Sequence, residues 1–227
     1  MRKFVFILLF AILFIPSYVA KSQTVDLLWQ GDVYTPPFYE GKSLWSKQAR
    51  ITFVAIPQGL GNPNSLNYKW TKNGTVLGSI SGMGKNSLSF NDTIFSKPQT
   101  VKVEIVGNDN QPITSATETL VPTSPEVLVY EDNPLYGLMF NHEVGDKYKF
   151  NEKETSFSAF PLFFSVSNYT DDNLTYSWQT NSGVKEPARS ITFRAPDEST
   201  GNSQIGISIS NNLEIVQRVS KSFLVEF

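Results

Sequence analysis

Phe53-Val54-Ala55-Ile56-Pro57, followed by Leu66-Asn67-Tyr68-Lys69-Trp70, has a second version further along the chain: Phe157-Ser158-Ala159-Phe160-Pro161, followed by Leu174-Thr175-Tyr176-Ser177-Trp178. Both read Phe-x-Ala-x-Pro and then Leu-x-Tyr-x-Trp, so the chain carries two copies of one structural unit. Trp70 and Trp178 stand 108 positions apart, close to the ~100 residues that build one two-sheet sandwich. Leu, Tyr and Trp alternate with other residues in each copy. That period of two is a strand with one buried face, and it places Tyr68, Trp70, Tyr176 and Trp178 in the cores.

The same period recurs outward from these strands. Copy one has Ile51, Phe53 and Ala55, then Leu88 and Phe90, then Val101, Val103 and Ile105. Copy two has Phe157 and Ala159, then Ile191 and Phe193, then Ile205, Ile207 and Ile209. Lys102 and Glu104 point the other way, as on a half-buried antiparallel strand. Lys72-Asn73-Gly74-Thr75 and Asn108-Asp109-Asn110 supply tight turns, and Asn211-Asn212 leads into a last strand that runs to Phe227. No window beyond the first residues sustains an amphipathic helix. The fold expected is all-β: two tandem immunoglobulin-like β-sandwiches, residues 23–122 and 126–227, after an N-terminal signal helix. Val121-Pro122-Thr123-Ser124-Pro125-Glu126 joins them, and its two prolines stiffen the connection.

Residues 1–22 read as a secretory signal peptide. Arg2 and Lys3 precede an apolar run from Phe4 to Ile15, Pro16 breaks it, and Ala20 and Ser22 place small residues before a cut at Gln23. A run of about 12 apolar residues is shorter than the ~20 that span a bilayer, so no membrane span is expected once the leader is cut. The alternative is an uncleaved N-terminal anchor. Either places the bulk of the protein outside the cytoplasm. The chain has no Cys, which excludes a lipid-attachment cysteine, a disulfide and a catalytic thiol. Removing the leader takes three of the 19 basic residues, Arg2, Lys3 and Lys21, and none of the 21 acidic ones, so the formal charge moves from −2 to −5. With no basic cluster besides, nucleic acid and anionic lipid are not expected partners.

Tyr68-Lys69-Trp70-Thr71-Lys72-Asn73-Gly74 resembles the tryptophan strand and following turn of bacterial immunoglobulin-like domains, and Leu174-Thr175-Tyr176-Ser177-Trp178 is similar to the same strand in PKD-like domains. The Gly-Asp-Gly turn usual after that tryptophan is replaced by Thr71-Lys72-Asn73-Gly74 and by Gln179-Thr180-Asn181-Ser182-Gly183. Tyr34-Thr35-Pro36-Pro37-Phe38-Tyr39, Ser81-Gly82-Met83-Gly84-Lys85-Asn86 and Asn133-Pro134-Leu135-Tyr136-Gly137 are similar to a group of secreted two-domain proteins from small-genome candidate-phyla bacteria. That resemblance implies a cell-surface or envelope role beside pilus or secretion machinery. It implies no activity and no binding residues.

Motifs that carry chemistry fail on inspection. Ser81-Gly82-Met83-Gly84-Lys85-Asn86 lacks the first glycine, the Ser or Thr after Lys and the following helix of a phosphate loop. Ser182-Gly183-Val184-Lys185 fits Ser-x-x-Lys, but the Lys-Thr-Gly element of serine acylases is missing. His142 is the only histidine, which excludes multi-histidine zinc sites. Asp171 and Asp172 share a loop and form a weak calcium candidate without an EF-hand framework. No cofactor is expected. An enzyme, such as a glycosidase working through two of Asp132, Glu143, Asp171 and Asp172, is the third-ranked reading.

Trp29, Tyr34, Phe38, Tyr39 and Trp45 are irregularly spaced around Pro36 and Pro37, so they cannot all face one core along a regular strand. They are the candidate exposed binding aromatics; packing across the junction is the competing explanation. The function expected is a non-catalytic module for adhesion, envelope or pilus-associated contact with a protein partner, with a carbohydrate-binding module as the alternative.

Overall fold

Eight strands build the first copy: β1 (Thr24–Asp32), β2 (Arg50–Gln58), β3 (Asn67–Lys72), β4 (Thr75–Val76), β5 (Gly82–Met83), β6 (Ser87–Asn91), β7 (Gln99–Val106) and β8 (Pro112–Leu120). Nine build the second: β9 (Glu126–Asn133), β10 (Gly137–Glu143), β11 (Lys147–Lys149), β12 (Glu154–Leu162), β13 (Leu174–Thr180), β14 (Lys185–Glu186), β15 (Ser190–Arg194), β16 (Asn202–Asn211) and β17 (Arg218–Glu226). This computed structural model describes residues 22–181, 183, 185–197 and 200–227, without the side chain of Lys185. The leader expected over residues 1–22 lies outside the described residues apart from Ser22, and Ser182 and Val184 of the Ser-x-x-Lys match lie outside them too.

The protein is all-β, two β-sandwiches in tandem. In the first, the sheet β1-β2-β6 packs on β4-β3-β7-β8, with β5 beside β3; in the second, β10-β9-β12-β15 packs on β11-β17-β16-β13-β14. Pairing is antiparallel except for β11, which runs parallel to β17. Asn73 and Gly74 have φ of 49° and 80°, so the left-handed backbone that a two-residue hairpin requires falls on the two residue types that adopt it most readily. Each copy has its own core. Phe53, Tyr68, Trp70, Val103 and Ile105 centre one cluster, and Phe157, Tyr176, Trp178, Ile207 and Phe223 centre the other. Trp70 and Trp178 are both 0% exposed.

On the outer face of the first sandwich, Glu104 of β7 meets Lys102 at 2.7 Å and Lys69 of β3 at 3.3 Å. The hydrogen bond from Lys102, then that from Lys69, hold its carboxyl below the usual range. A depressed folded pKa means stability that is present above the unfolded value of about 4.3 and lost as pH falls through the folded one. Glu104→Gln is therefore expected to lower stability by up to about 1 kcal/mol at pH 7. In urea titrations the gap from the parent should close under acid conditions; a gap that persists there assigns the loss to packing.

Candidate functional site

After β1 the chain does not turn straight into β2. Residues 34–39 reach across to the second sandwich, because Pro36 and Pro37 cannot join a ladder and the aromatic side chains around them need apolar cover, and Trp45 and Ala49 then return to the first core. The Phe38 ring lies 4.4 Å from Phe140, 5.2 Å from Phe160 and 5.3 Å from Tyr130, between centroids. Tyr39 meets Phe163 edge-on at 5.7 Å. Tyr34 forms a two-bond bridge with the second sandwich: its N–H donates to the Phe164 carbonyl at 2.8 Å, and its carbonyl accepts from the Phe163 N–H at 3.0 Å. The Tyr34 and Tyr169 rings are 6.2 Å apart.

These contacts correct the expectation of an exposed aromatic patch. Trp45 is 1% exposed, packs edge-on to Phe90 at 6.2 Å and donates its indole N–H to the Ala49 carbonyl at 3.1 Å. Tyr34, Phe38 and Tyr39 are half-buried in the junction. Trp29 is half-buried on the first sandwich, with the Lys42 ammonium 3.4 Å above its ring. Of the five, Trp45 is enclosed and the other four are half-buried.

A polar network continues the junction. Gln217, 0% exposed, donates to the Lys47 carbonyl at 2.8 Å and to Ser165 Oγ at 2.7 Å. Its Oε1 accepts from Ser165 N at 2.9 Å and Asn211 Nδ2 at 3.1 Å. Gln48 Oε1 accepts from Val216 N at 2.8 Å. The linker is tied in as well: Thr123 N donates to the Trp45 carbonyl at 2.8 Å, and Lys47 N donates to the Thr123 carbonyl at 3.1 Å.

Beside this network a cleft of about 530 Å³ opens between the sandwiches, lined by Asp32, Arg50 and Asp92 from the first and by Ser167, Asp171 and Glu214 from the second. Burial raises the Glu214 carboxyl above its ordinary value. A loop rises from each wall. Asp92 Oδ2 accepts from Gln48 N at 3.2 Å and from Ser96 Oγ, and so braces a loop whose Ile94 and Phe95 are 53% and 78% exposed. Asn211 Oδ1 accepts from Leu213 N and Glu214 N, and so braces one whose Leu213 and Ile215 are 69% and 60% exposed. A third apolar tip is Leu135-Tyr136, between β9 and β10, held by Asn133 Oδ1 accepting from both main-chain N–H groups.

The acidic candidates scatter. Asp171 lines the cleft, but its Oδ1 already accepts from Asn173 N at 3.0 Å and Asn173 Nδ2 at 2.8 Å, and the backbone bond from Asn173 leads in holding its carboxyl below the ordinary range. Asp172 is exposed. Among the described residues no three His, Cys, Asp or Glu side chains gather as a metal-holding group. Glu143 pairs with Lys221 at 2.5 Å, Asp132 lies on β9 opposite Ser156 of β12, and His142 is exposed on β10. Among the described residues no helix is long and apolar enough to cross a membrane.

Periodicity missed Gln217 and the two bracing loops, since an isolated amide and two short apolar pairs carry no pattern of their own. The signal that existed was the Asx-type spacing of Asp92 and Asn211 before apolar residues.

No protein-family model matches the sequence, and no curated protein matches it. Among solved structures the chain is similar to the Clostridium thermocellum CbhA fibronectin(III)-like modules, at 12% identity over 88% of this chain and 93% of that one, with a TM-score of 0.29. It is also similar to Sidekick-1 immunoglobulin domains 1-5, at 10% identity over 92% of this chain and 60% of that one, with a TM-score of 0.26. A third similarity is to Yersinia pseudotuberculosis adhesin InvE, at 10% identity over 89% and 58%, with a TM-score of 0.21. The chain thus spans less than two thirds of the last two. Superpositions this loose do not carry the sandwich assignment, which rests on the strand order and the two cores described above.

Proposed function

We propose that this protein is a secreted, non-catalytic pair of β-sandwiches that binds a protein partner at the cell surface or envelope. The observation that carries the reading is the pair of braced loops that hold Ile94 and Phe95, and Leu213 and Ile215, in water on either side of one cleft. Large apolar side chains fixed in solvent cost free energy that a partner surface recovers, and such residues become anchors of interfaces. The carboxylates of Asp32, Asp92 and Glu214 against the single guanidinium of Arg50 favour a partner with a basic residue between two apolar ones.

The test is retention of the purified protein on intact cells, with the parent set against Phe95→Ser and Leu213→Ser. Both side chains are mostly exposed, so both variants should fold. Retention should fall about tenfold or more in each; equal retention overturns the reading. The carbohydrate alternative is favoured by the polar lining of the cleft, but none of the residues lining it is aromatic. A glycan array in which the parent binds and Asp92→Ala does not would establish it over the protein-partner reading.

A further inference from the structure

The two copies differ at one place on their open sides. In copy one, eight residues, Gly78 to Lys85, run from Leu77 at the end of the β4 segment to Asn86, whose carbonyl accepts from Ala55 N at 2.8 Å. In copy two the matching bond runs from Ala159 N to the Arg189 carbonyl at 3.0 Å, and only Pro187 and Ala188 separate Arg189 from Glu186 at the end of β14.

The longer connection in copy one has work for every turn. It forms β5, which lies beside β3 with Gly82 opposite Tyr68 and Met83 opposite Asn67. Ser81 Oγ accepts from Trp70 N at 2.9 Å, Gly84 N donates to the Leu66 carbonyl at 2.9 Å, and the Lys85 carbonyl accepts the Trp70 indole N–H at 2.7 Å. Among the described residues copy two has no counterpart of β5. β16 pairs with β13 from Leu174 to Thr180, whereas β14 covers the other edge only at Trp178 and Gln179. Among the described residues no strand lies beside that edge from Leu174 to Ser177.

The indole answers to the same gap. Trp178 is 0% exposed, yet among the described residues its Nε1 meets no acceptor. A buried donor without a partner is rare, and it costs about as much as a lost hydrogen bond. Trp178 lines a cavity of about 380 Å³ between the two sheet edges, with Gln179 and Glu186 on one wall and Ala188, Ile191 and Phe193 on the other. Both sheets end on this side, at β14 and at β15.

We propose that the open side of the second sandwich takes an extended peptide segment of a partner protein, which adds to the bare edge of β13 and presents a carbonyl oxygen to Trp178 Nε1. Copy one shows the occupant in miniature: a short, glycine-bearing strand whose main chain does the binding. Strand addition of this kind gives affinity through the backbone and needs few particular side chains. The proposal rests on reading the protein as an interaction module, but it uses a different face from the braced loops.

The probe is a nine-residue peptide with the sequence of Ser79–Ser87, titrated into the mature chain while the four indole N–H resonances are followed by NMR. Trp178→Phe identifies its resonance by removal. With the parent, the Trp178 signal should move downfield and the Tyr176 amide should gain protection from hydrogen exchange, while the Trp70 signal stays. Trp178→Phe should bind about fivefold more weakly through loss of one hydrogen bond. Ala188→Phe, which fills the cavity from the rim and leaves the core strand intact, should bind at least tenfold more weakly. A Trp178 resonance unmoved at millimolar peptide overturns the proposal, and so does Ala188→Phe binding as the parent does. A shift that follows protein concentration without peptide also overturns it, since the occupant is then a second copy. Loss of cell retention by Phe95→Ser without any peptide effect would sink this site and leave the proposed function standing.

Discussion

Trp70→Ala should destabilise the first sandwich by about 3–5 kcal/mol, the range for a large aromatic deleted from a packed core. Against a total of about 5–15 kcal/mol for a domain, that is enough to unfold much of it at 37 °C, because no disulfide restrains the unfolded chain. The loss has two parts: the cavity among Phe53, Tyr68 and Val103, and the Lys85 carbonyl left without the indole N–H. Trp178→Ala creates the same kind of cavity among Phe157, Tyr176 and Ile207, but among the described residues it removes no hydrogen bond. Its cost should be about 1 kcal/mol smaller. Urea unfolding of both variants measures the difference. Equal losses would show that the indole bond of copy one adds nothing to stability.

Gln217→Leu should break the coupling between the sandwiches. The substitution keeps the side-chain volume near its original value but takes the Gln217 partner from the half-buried Lys47 carbonyl and Ser165 N–H, and Asn211 loses one acceptor. Each unsatisfied group costs about 1–3 kcal/mol, so the total is about 3 kcal/mol, concentrated at the junction. The parent should melt in one calorimetric transition, since Phe38, Tyr39 and Gln217 tie the two cores. Gln217→Leu should melt in two. A single transition at the parent's temperature would show that the aromatic packing alone couples them.

The strands could be read from the sequence because each obeys a local rule. Leu66, Tyr68 and Trp70 sit two apart, Asn73-Gly74 is the turn such a strand needs, and Leu174, Tyr176 and Trp178 repeat the spacing. Exposure of the early aromatics could not be read that way. Phe38 is covered by Tyr130, Phe140 and Phe160, roughly a hundred positions away, and no local period encodes so distant a partner. Gln217 looks like an ordinary polar residue before a strand, and only the meeting of three loops makes it the most enclosed amide of the junction. The bare edge of β13 was legible in principle. It is a six-residue deficit between matched positions of the two copies, which appears only when the copies are aligned strand by strand rather than motif by motif.

The clasp of Thr123 on Trp45 and Lys47 gives the junction a mechanical character. A chain of beads on single tethers swings freely and dissipates a pull in its hinges. Here the covalent link at 121–125 is backed by an excursion that begins and ends in the first half but is hydrogen-bonded to the second through Tyr34, so torque on one half turns the other. Such a junction passes a twist on instead of absorbing it.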